Sequence, residues 1–319
     1  MPYTHAFLGG LLLPSGFFSG PINFRDTNLS PEVALRYKAT DNINIYAAYK
    51  TGYKSGGIDN SALPSSGLAG LNNPATRDAV AAGLVYKSET GKGGEVGIKT
   101  QFADRTVTLN ASAFYYVFTD LQLQVFNAAT IQFRTFNASE LTTKGFDMDF
   151  SWRTPLEGLR LNASLAYTDA KFTKSLTSEI TGEELKGRAA ARAPKWAGNA
   201  GFDFSAPIGD SLEFGLNGNM QFSSSYFTTT TSARDLKQGS YATFDGGISV
   251  GAPDGRWKLA LIGINLANRI YATTSGGRPF LAGTALGTPG TAGYVPVGDD
   301  INVNYNRGRQ LFVEASFKF

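Results

Sequence analysis

The sequence predicts an all-β fold, an antiparallel sheet curved as a transmembrane β-barrel, and three features predict it. Apolar and polar residues alternate with a period of two along most of the chain. Tight turn signals separate some neighbouring segments, whereas long connections rich in Gly, Ser, Thr and Pro separate the others. The 319 residues include 37 glycines and 13% aromatics but no cysteine and one histidine, a composition that suits β structure and starves most catalytic or metal chemistry. Successive side chains on a strand point to opposite faces, so each alternating segment has one apolar and one polar face.

The elements follow in chain order. Residues 6–13 are apolar but have no basic residue before them, and Gly9, Gly10 and Pro14 break them up. A loop is therefore expected there rather than a signal peptide, which needs a basic leading region. Ile43, Ile45, Ala47 and Tyr49 open the alternation. Val107, Leu109, Ala111, Ala113, Tyr115 and Val117 continue it, against Thr106, Thr108, Asn110 and Ser112. Phe146, Met148, Phe150 and Trp152 follow, and then Leu159, Leu161, Ala163, Leu165 and Tyr167 against Arg160, Asn162, Ser164 and Thr168. Trp196, Ala200, Phe202 and Phe204 form another face. Leu212, Phe214, Leu216, Met220 and Phe222 stand against Glu213, Asn217, Asn219 and Gln221. Residues 106–125 and 131–153 read as single long strands, and residues 75–85 as a short helix inside a loop. The last strand places Leu311, Val313, Ala315, Phe317 and the terminal Phe319 on one face, with Gln310, Glu314, Ser316 and Lys318 on the other.

Short links at 40–42, 103–104, 154–158, 207–210 and 252–255 carry the Asn, Asp, Gly and Pro of hairpin turns. Long links at 54–92, 171–193, 224–239 and 267–306 alternate with them, which collects the long loops at one end. Outer-membrane barrels have short periplasmic turns and long extracellular loops in that arrangement. Expected strand lengths of about 10–14 residues exceed the ~5–6 usual in soluble sheets. The polar faces carry Asn, Thr, Ser, Gln and Gly, as a water-filled lumen would. Tyr49, Tyr53, Tyr115, Tyr167, Trp152 and Trp257 sit towards strand ends, where membrane interfaces hold aromatic girdles.

Several function classes drop out on composition. Without cysteine there is no disulfide, thiolate zinc site, iron–sulfur cluster or thiol nucleophile. His5 alone gives no basis for a histidine metal site or a Ser-His-Asp triad. A net charge of +3 without a clustered basic face argues against nucleic-acid binding. Asp299-Asp300 and Glu183-Glu184 lack EF-hand spacing, and Gly91, Gly93, Gly94 and Gly97 fit neither GxGxxG nor a P-loop. No catalytic residue, metal or cofactor is expected, and no enzyme.

A series of short motifs then carries a family resemblance. Asn28-Leu29-Ser30-Pro31 leads into a strand, Asp41-Asn42 turns it, and Ile45 to Lys54 (IYAAYKTGYK) enters a large loop. Glu95-Val96-Gly97-Ile98-Lys99 follows, with Phe114-Tyr115-Tyr116, Asp120-Leu121-Gln122 and Gly145-Phe146-Asp147 in the long central hairpin. Ala193-Pro194-Lys195-Trp196 and the segment from Tyr241 to Asp245 open later strands. Asn265-Leu266-Ala267-Asn268-Arg269-Ile270-Tyr271 precedes the final loop, and Arg307-Gly308-Arg309 and Phe319 complete the order. In this order the chain resembles the C-terminal half of the β-barrel of a TonB-dependent outer-membrane receptor.

The resemblance implies a barrel of 22 strands with a plugged lumen. Strands starting near 31, 42, 94, 105, 131, 158, 195, 210, 240, 256 and 307 give about eleven, so a partial barrel is expected over residues 29–319. Residues 1–28 are expected to be the remnant of an extracellular loop, with no plug domain or TonB box in the chain, as in a gene fragment or a mis-called start. The resemblance further implies uptake of a scarce ligand such as a ferric siderophore, a cobalamin or a glycan at the outer membrane of a Gram-negative bacterium. The implied partners are outer-membrane lipid, the TonB complex acting through the missing plug, and the barrel-assembly machinery. That machinery would read Val313, Ala315, Phe317 and Phe319, while Asn265, Leu266, Asn268 and Tyr271 form a family motif. Ligand contacts are expected from the loops and upper lumen at Tyr53, Lys54, Arg77, Arg188, Arg192, Tyr226, Arg234 and Arg278. Arginine suits carboxylate or phosphate groups through its rigid bidentate fork. A passive porin-type channel and a soluble or surface glycan-binding β-protein are the alternative functions.

Overall fold

The computed structural model describes residues 7–8, 11–12, 24–59, 84–127, 132–174, 184–229, 237–278 and 300–318. Its framework is one 11-stranded antiparallel sheet in which each strand hydrogen-bonds only to its neighbours in sequence. The strands are β1 (Glu32–Thr40), β2 (Ile43–Lys54), β3 (Glu89–Phe102), β4 (Val107–Thr119), β5 (Glu140–Arg153) and β6 (Leu159–Phe172). β7 (Trp196–Ile208), β8 (Leu212–Ser223), β9 (Tyr241–Gly251), β10 (Trp257–Ile264) and β11 (Gln310–Phe317) complete it. β1 and β11 are the two edges of the sheet and do not pair with each other, so the wall is an open arc.

Register decides which side chains share a face, because directly opposed residues in an antiparallel pair point the same way. Across seven strands one rung reads Leu35, Ala47, Val96, Ala113, Phe146, Tyr167 and Trp196. Another reads Phe102, Val107, Trp152, Leu161, Phe202, Gly218, Gly246, Gly263 and Leu311. Both are apolar from end to end. One residue out of phase, a third rung reads Asn44, Lys99, Asn110, Asp149, Ser164, Asn199, Gln221 and Thr243. The wall therefore has one apolar and one polar face. Of the large apolar side chains that the wall strands leave exposed, all but Ile264 and Phe312 lie on the apolar face. That face has no second layer packed on it among the described residues, as a soluble sandwich would need.

The apolar face is bounded by aromatics at both ends. Phe146, Tyr167 and Trp196 cluster towards the long-loop end, with ring centroids 5.9, 5.8 and 4.8 Å apart. Trp257 pairs with Phe317 at the short-turn end. Charged residues such as Lys144 and Asp169, which face each other in register, appear on this face only one step beyond the upper cluster.

All the short turns lie at one end and the long connections at the other, as the link lengths predict. The β3–β4 turn holds Ala103, Asp104 and Arg105 at φ of 49, 52 and 64°, and Thr106 closes it by donating its amide to the Ala103 carbonyl at 3.0 Å. Gly158 turns β5 into β6 at φ of 80°, under the Ser205 carbonyl, and Gly209 turns β7 into β8 at φ of 58° in open space.

Two elements differ from the sequence reading. The strands read over 106–125 and 131–153 each divide in two. β4 stops at Thr119 and β5 starts at Glu140, while Gln122–Asn127 and Gln132–Asn137 pair separately beyond them. The cause is local: Asp120 adopts a left-handed φ of 54°, and the break is spliced by Asp120 N–H to Ser139 O at 2.9 Å and Ala138 N–H to Leu121 O at 2.6 Å. Ala138 there is buried with Phe172 and Leu185, so the tightest apolar core sits where loops meet the wall. Of the helix read over 75–85 only Leu84 and Val85 lie among the described residues, Leu84 in helical conformation and Val85 in a short strand, Val85–Tyr86, paired with Gly57–Ile58.

The two turn glycines separate strain from contact. Gly158→Ala meets both a positive φ and the Ser205 carbonyl, so about 2–3 kcal/mol of destabilisation is expected. Gly209→Ala meets only the φ penalty, and about 1 kcal/mol is expected. Urea unfolding midpoints of the two variants, measured side by side, check the difference.

Candidate functional site

The polar face and the long loops above it form the candidate binding region, and three local structures build it. On the β2–β3–β4 seam, Lys50 lies 3.1 Å from Glu95 and 4.0 Å from Glu32, while the Tyr116 hydroxyl donates to Glu95 at 3.3 Å. Lys50 and Glu95 face the lumen side because each lies one residue out of phase with the apolar rung through Ala47 and Val96. At the loop end of β5, beyond the apolar face with which it is in phase, Glu140 meets Lys174 at 2.9 Å and accepts from the Thr173 hydroxyl at 2.8 Å.

The third structure joins the last loops. Tyr241, at the head of β9, stacks on Tyr271 with centroids 3.9 Å apart and planes 8° from parallel. The Tyr226 hydroxyl donates to the Ala272 carbonyl at 3.4 Å, and the Ala272 amide donates to the Gln238 side chain at 2.7 Å. Tyr271 is held by its amide, which donates to Asn306 Oδ1 at 2.8 Å.

Asn265 is the hub beneath that loop. It is 4% exposed and left-handed at φ of 51°. Its amide donates to Asp245 at 2.7 Å, and its side-chain nitrogen donates to the carbonyls of Arg269 at 2.9 Å and Arg307 at 3.2 Å. Its side-chain oxygen accepts from the Arg269 amide at 2.8 Å. Asn268 repeats the device one turn on, at φ of 52°, by accepting from the Arg309 amide at 2.9 Å. Leu266 donates its amide to Phe244 O at 2.7 Å and lays its side chain over Gly263. The motif residues Asn265, Leu266, Asn268 and Tyr271 thus pin the final loop to β9, β10 and the lead-in to β11.

The ligand-contact candidates divide into groups rather than one cluster. Tyr53 and Lys54 are exposed at the long-loop end of β2, Tyr53 in phase with the apolar face and Lys54 with the polar face, opposite Glu89. Arg188 and Arg192 follow β6, and the Arg192 amide donates to Phe227 O at 2.7 Å, which brings this connection against the Tyr226 hairpin. Arg278 pairs through its backbone with Asp300. Arg77 and Arg234 lie outside the described residues. Val313, Ala315 and Phe317 are exposed on the apolar face of β11, and Phe319 lies outside the described residues. Sequence reasoning missed Lys50, Glu95, Tyr116 and Tyr241. Counting strand phase from the apolar rung marks each of them as polar-face residues at the long-loop end. Among the described residues no group of three or more His, Cys, Asp or Glu is placed to hold a metal.

Replacing Asn265 by Ala leaves the half-buried Arg269 amide without its acceptor, while the Arg269 and Arg307 carbonyls keep the Asn306 side-chain donor, for an expected loss of about 1–3 kcal/mol locally. Hydrogen exchange at Arg269 and Tyr271 should accelerate strongly while the β4–β6 amides keep their protection.

Known proteins share this architecture. A metal-pseudopaline receptor, CntO, of Pseudomonas aeruginosa is 28% identical over 160 residues, 47% of this chain and 19% of that protein. Among solved structures, the ferric yersiniabactin uptake receptor FyuA of Yersinia pestis superposes with a TM-score of 0.64 at 18% identity, covering 90% of this chain and 37% of FyuA. The siderophore receptor PiuA of Acinetobacter baumannii gives 0.61 at 17% identity, covering 90% and 35%. The chain thus spans little more than a third of the length of these solved receptors and under a fifth of the curated relative. The family described as TonB dependent receptor-like, beta-barrel matches residues 12–268, and the chain belongs to that family.

Proposed function

We propose that this chain forms part of the wall of an outer-membrane receptor that takes up a scarce ligand, of the ferric-siderophore class, by TonB-dependent transport. The observation that carries the reading is the division of the sheet into apolar and polar faces with every long loop at one end. In an outer membrane the apolar rungs face lipid, the aromatic clusters sit at the two interfaces, and the polar rungs line the lumen. The loops then face outward, where Tyr53, Lys54, Arg77, Arg188, Arg192, Tyr226, Arg234 and Arg278 meet the ligand. The named relatives are receptors for metal or iron chelates. Residues 29–319 act as the wall and residues 1–28 as loop, and the receptor couples to TonB through a plug. The receptor moves its ligand without chemical change and is not an enzyme. Insertion passes through the barrel-assembly machinery reading Val313, Ala315, Phe317 and Phe319.

Growth tests the function. A strain lacking this gene should fail to take up at least one radiolabelled ferric chelate, and uptake in the parent should stop when an uncoupler removes the proton gradient. Uptake that survives both treatments overturns the proposal, and uptake that ignores only the uncoupler points to a passive channel.

Membrane placement is testable by residue phase. Ala113→Arg puts a charge in the middle of the apolar face and should cost about 2–4 kcal/mol in bilayers. Asn110→Arg, between Asp149 and Lys99 on the polar face, gains one opposite and one like charge and should change stability by less than about 1 kcal/mol. Urea titration in lipid vesicles reads both.

A further inference from the structure

The long-loop end of the β2–β3–β4 seam carries a notch on the polar face. Gly52 and Gly91 oppose each other in register and give it a floor of bare backbone. Tyr116 and Phe118 of β4, Lys50 and Lys54 of β2 and Glu89 of β3 stand around that floor and enclose about 370 Å³. That volume lies at the small end of ligand sites, which run from about 300 to 1,000 Å³. It has room for one substituted ring.

The aromatic walls are seated on glycine. A Cβ on Gly91 would meet the Phe118 ring at 3.0 Å, and one on Gly93 would meet Tyr116 at 2.5 Å. Side chains on β3 at these positions would lift the rings off the wall. A Cβ on Gly52, by contrast, has nothing within 4 Å. The floor is open space.

The charges around the notch are unequally committed. Lys50 is held by Glu95 at 3.1 Å and Glu32 at 4.0 Å. Glu89 accepts the Gln122 amide at 2.9 Å. Lys54 is exposed and makes no ion pair among the described residues. An uncommitted ammonium therefore stands beside two aromatic rings over an open floor.

We infer that this notch is a subsite for an aryl anion, with the ligand's ring against Tyr116 and Phe118 and its phenolate or carboxylate on Lys54. Offset or edge-on ring contacts favour an aromatic occupant, and the ammonium supplies a charge-assisted hydrogen bond. The inference rests on the uptake reading for the source of such a ligand, and it narrows the chelate to one bearing aryl groups.

Salicylate is the probe, titrated calorimetrically into outer-membrane vesicles carrying the full chain, with empty vesicles as the blank. Gly52→Leu starts from a Cβ with nothing within 4 Å and extends into the notch, and it should weaken salicylate binding by roughly tenfold or more, the scale of a blocked apolar subsite. Lys54→Gln should weaken it by about threefold, as expected for an exposed ion pair. A circular dichroism spectrum unchanged in both variants shows that the sheet is intact. Absence of salicylate binding, binding indifferent to Gly52→Leu, or displacement of salicylate by the neutral sugar maltotriose overturns the inference. Salicylate binding that is lost in Gly52→Leu, in a chain whose deletion leaves ferric-chelate uptake intact, upholds the notch and defeats the uptake reading instead.

Discussion

Backbone hydrogen bonding between strands is the constraint on which the rest of this structure depends. A sheet that faces an apolar surround cannot leave N–H and C=O groups to water, so each strand must be paired along its length. Pairing fixes register, and register fixes phase: a slip of one residue would exchange the two faces of a strand. The rung from Phe102 to Leu311 crosses nine strands without a polar side chain. Such a run is possible only if every hairpin between those strands keeps the same phase. The short turns enforce it locally, each with its own device, from the left-handed run at Ala103 to Arg105 to the positive φ of Gly158.

The same constraint explains where irregular structure is allowed. The long connections all emerge at one end, where short ladders of their own and side chains together satisfy their backbone groups. Asn265 alone completes bonds with Asp245, Arg269 and Arg307, and Asn306 holds Tyr271. The buried Ala138, Phe172 and Leu185 sit at this junction because it is where chain can be covered by chain. Tyr53 and Lys54 stand at the end of β2 that outruns β1 and pairs on one side only, with Thr90 and Glu89 of β3, so a single ladder positions them without a dedicated core.

Much of this was legible in the sequence because period two is a direct image of a half-buried strand. The turns at Asp41-Asn42 and Ala103-Asp104, the link lengths and the faces of β4 to β8 all follow from it. The break at Asp120 did not, because alternation continues through 106–125 and only the backbone records the left-handed residue. The site was less legible than the wall. Tyr226 and Arg192 come together through a loop contact that no local pattern encodes. The pairing of Lys50 with Glu95 spans 45 residues of sequence and appears only once register is known. Loop residues read by charge alone, such as Arg188 and Arg192, could not be sorted into groups.

The count of strands has a consequence for closure. With eleven strands in alternating directions, β1 and β11 run the same way, so pairing them would be parallel. A second copy of this sheet in the same orientation offers that same direction at both of its edges and cannot complete an antiparallel wall. A complementary wall must have an odd number of strands, with its first and last running opposite to β1 and β11. It must also match phase, since the apolar rungs run off the sheet at Leu35 on one edge and at Leu311 on the other. Every residue of β1 is exposed, as expected of an edge whose partner strand lies outside this sheet. A wall with those two properties would run its first and last strands from the short-turn end to the long-loop end of this sheet, because antiparallel pairing across both seams admits no other direction.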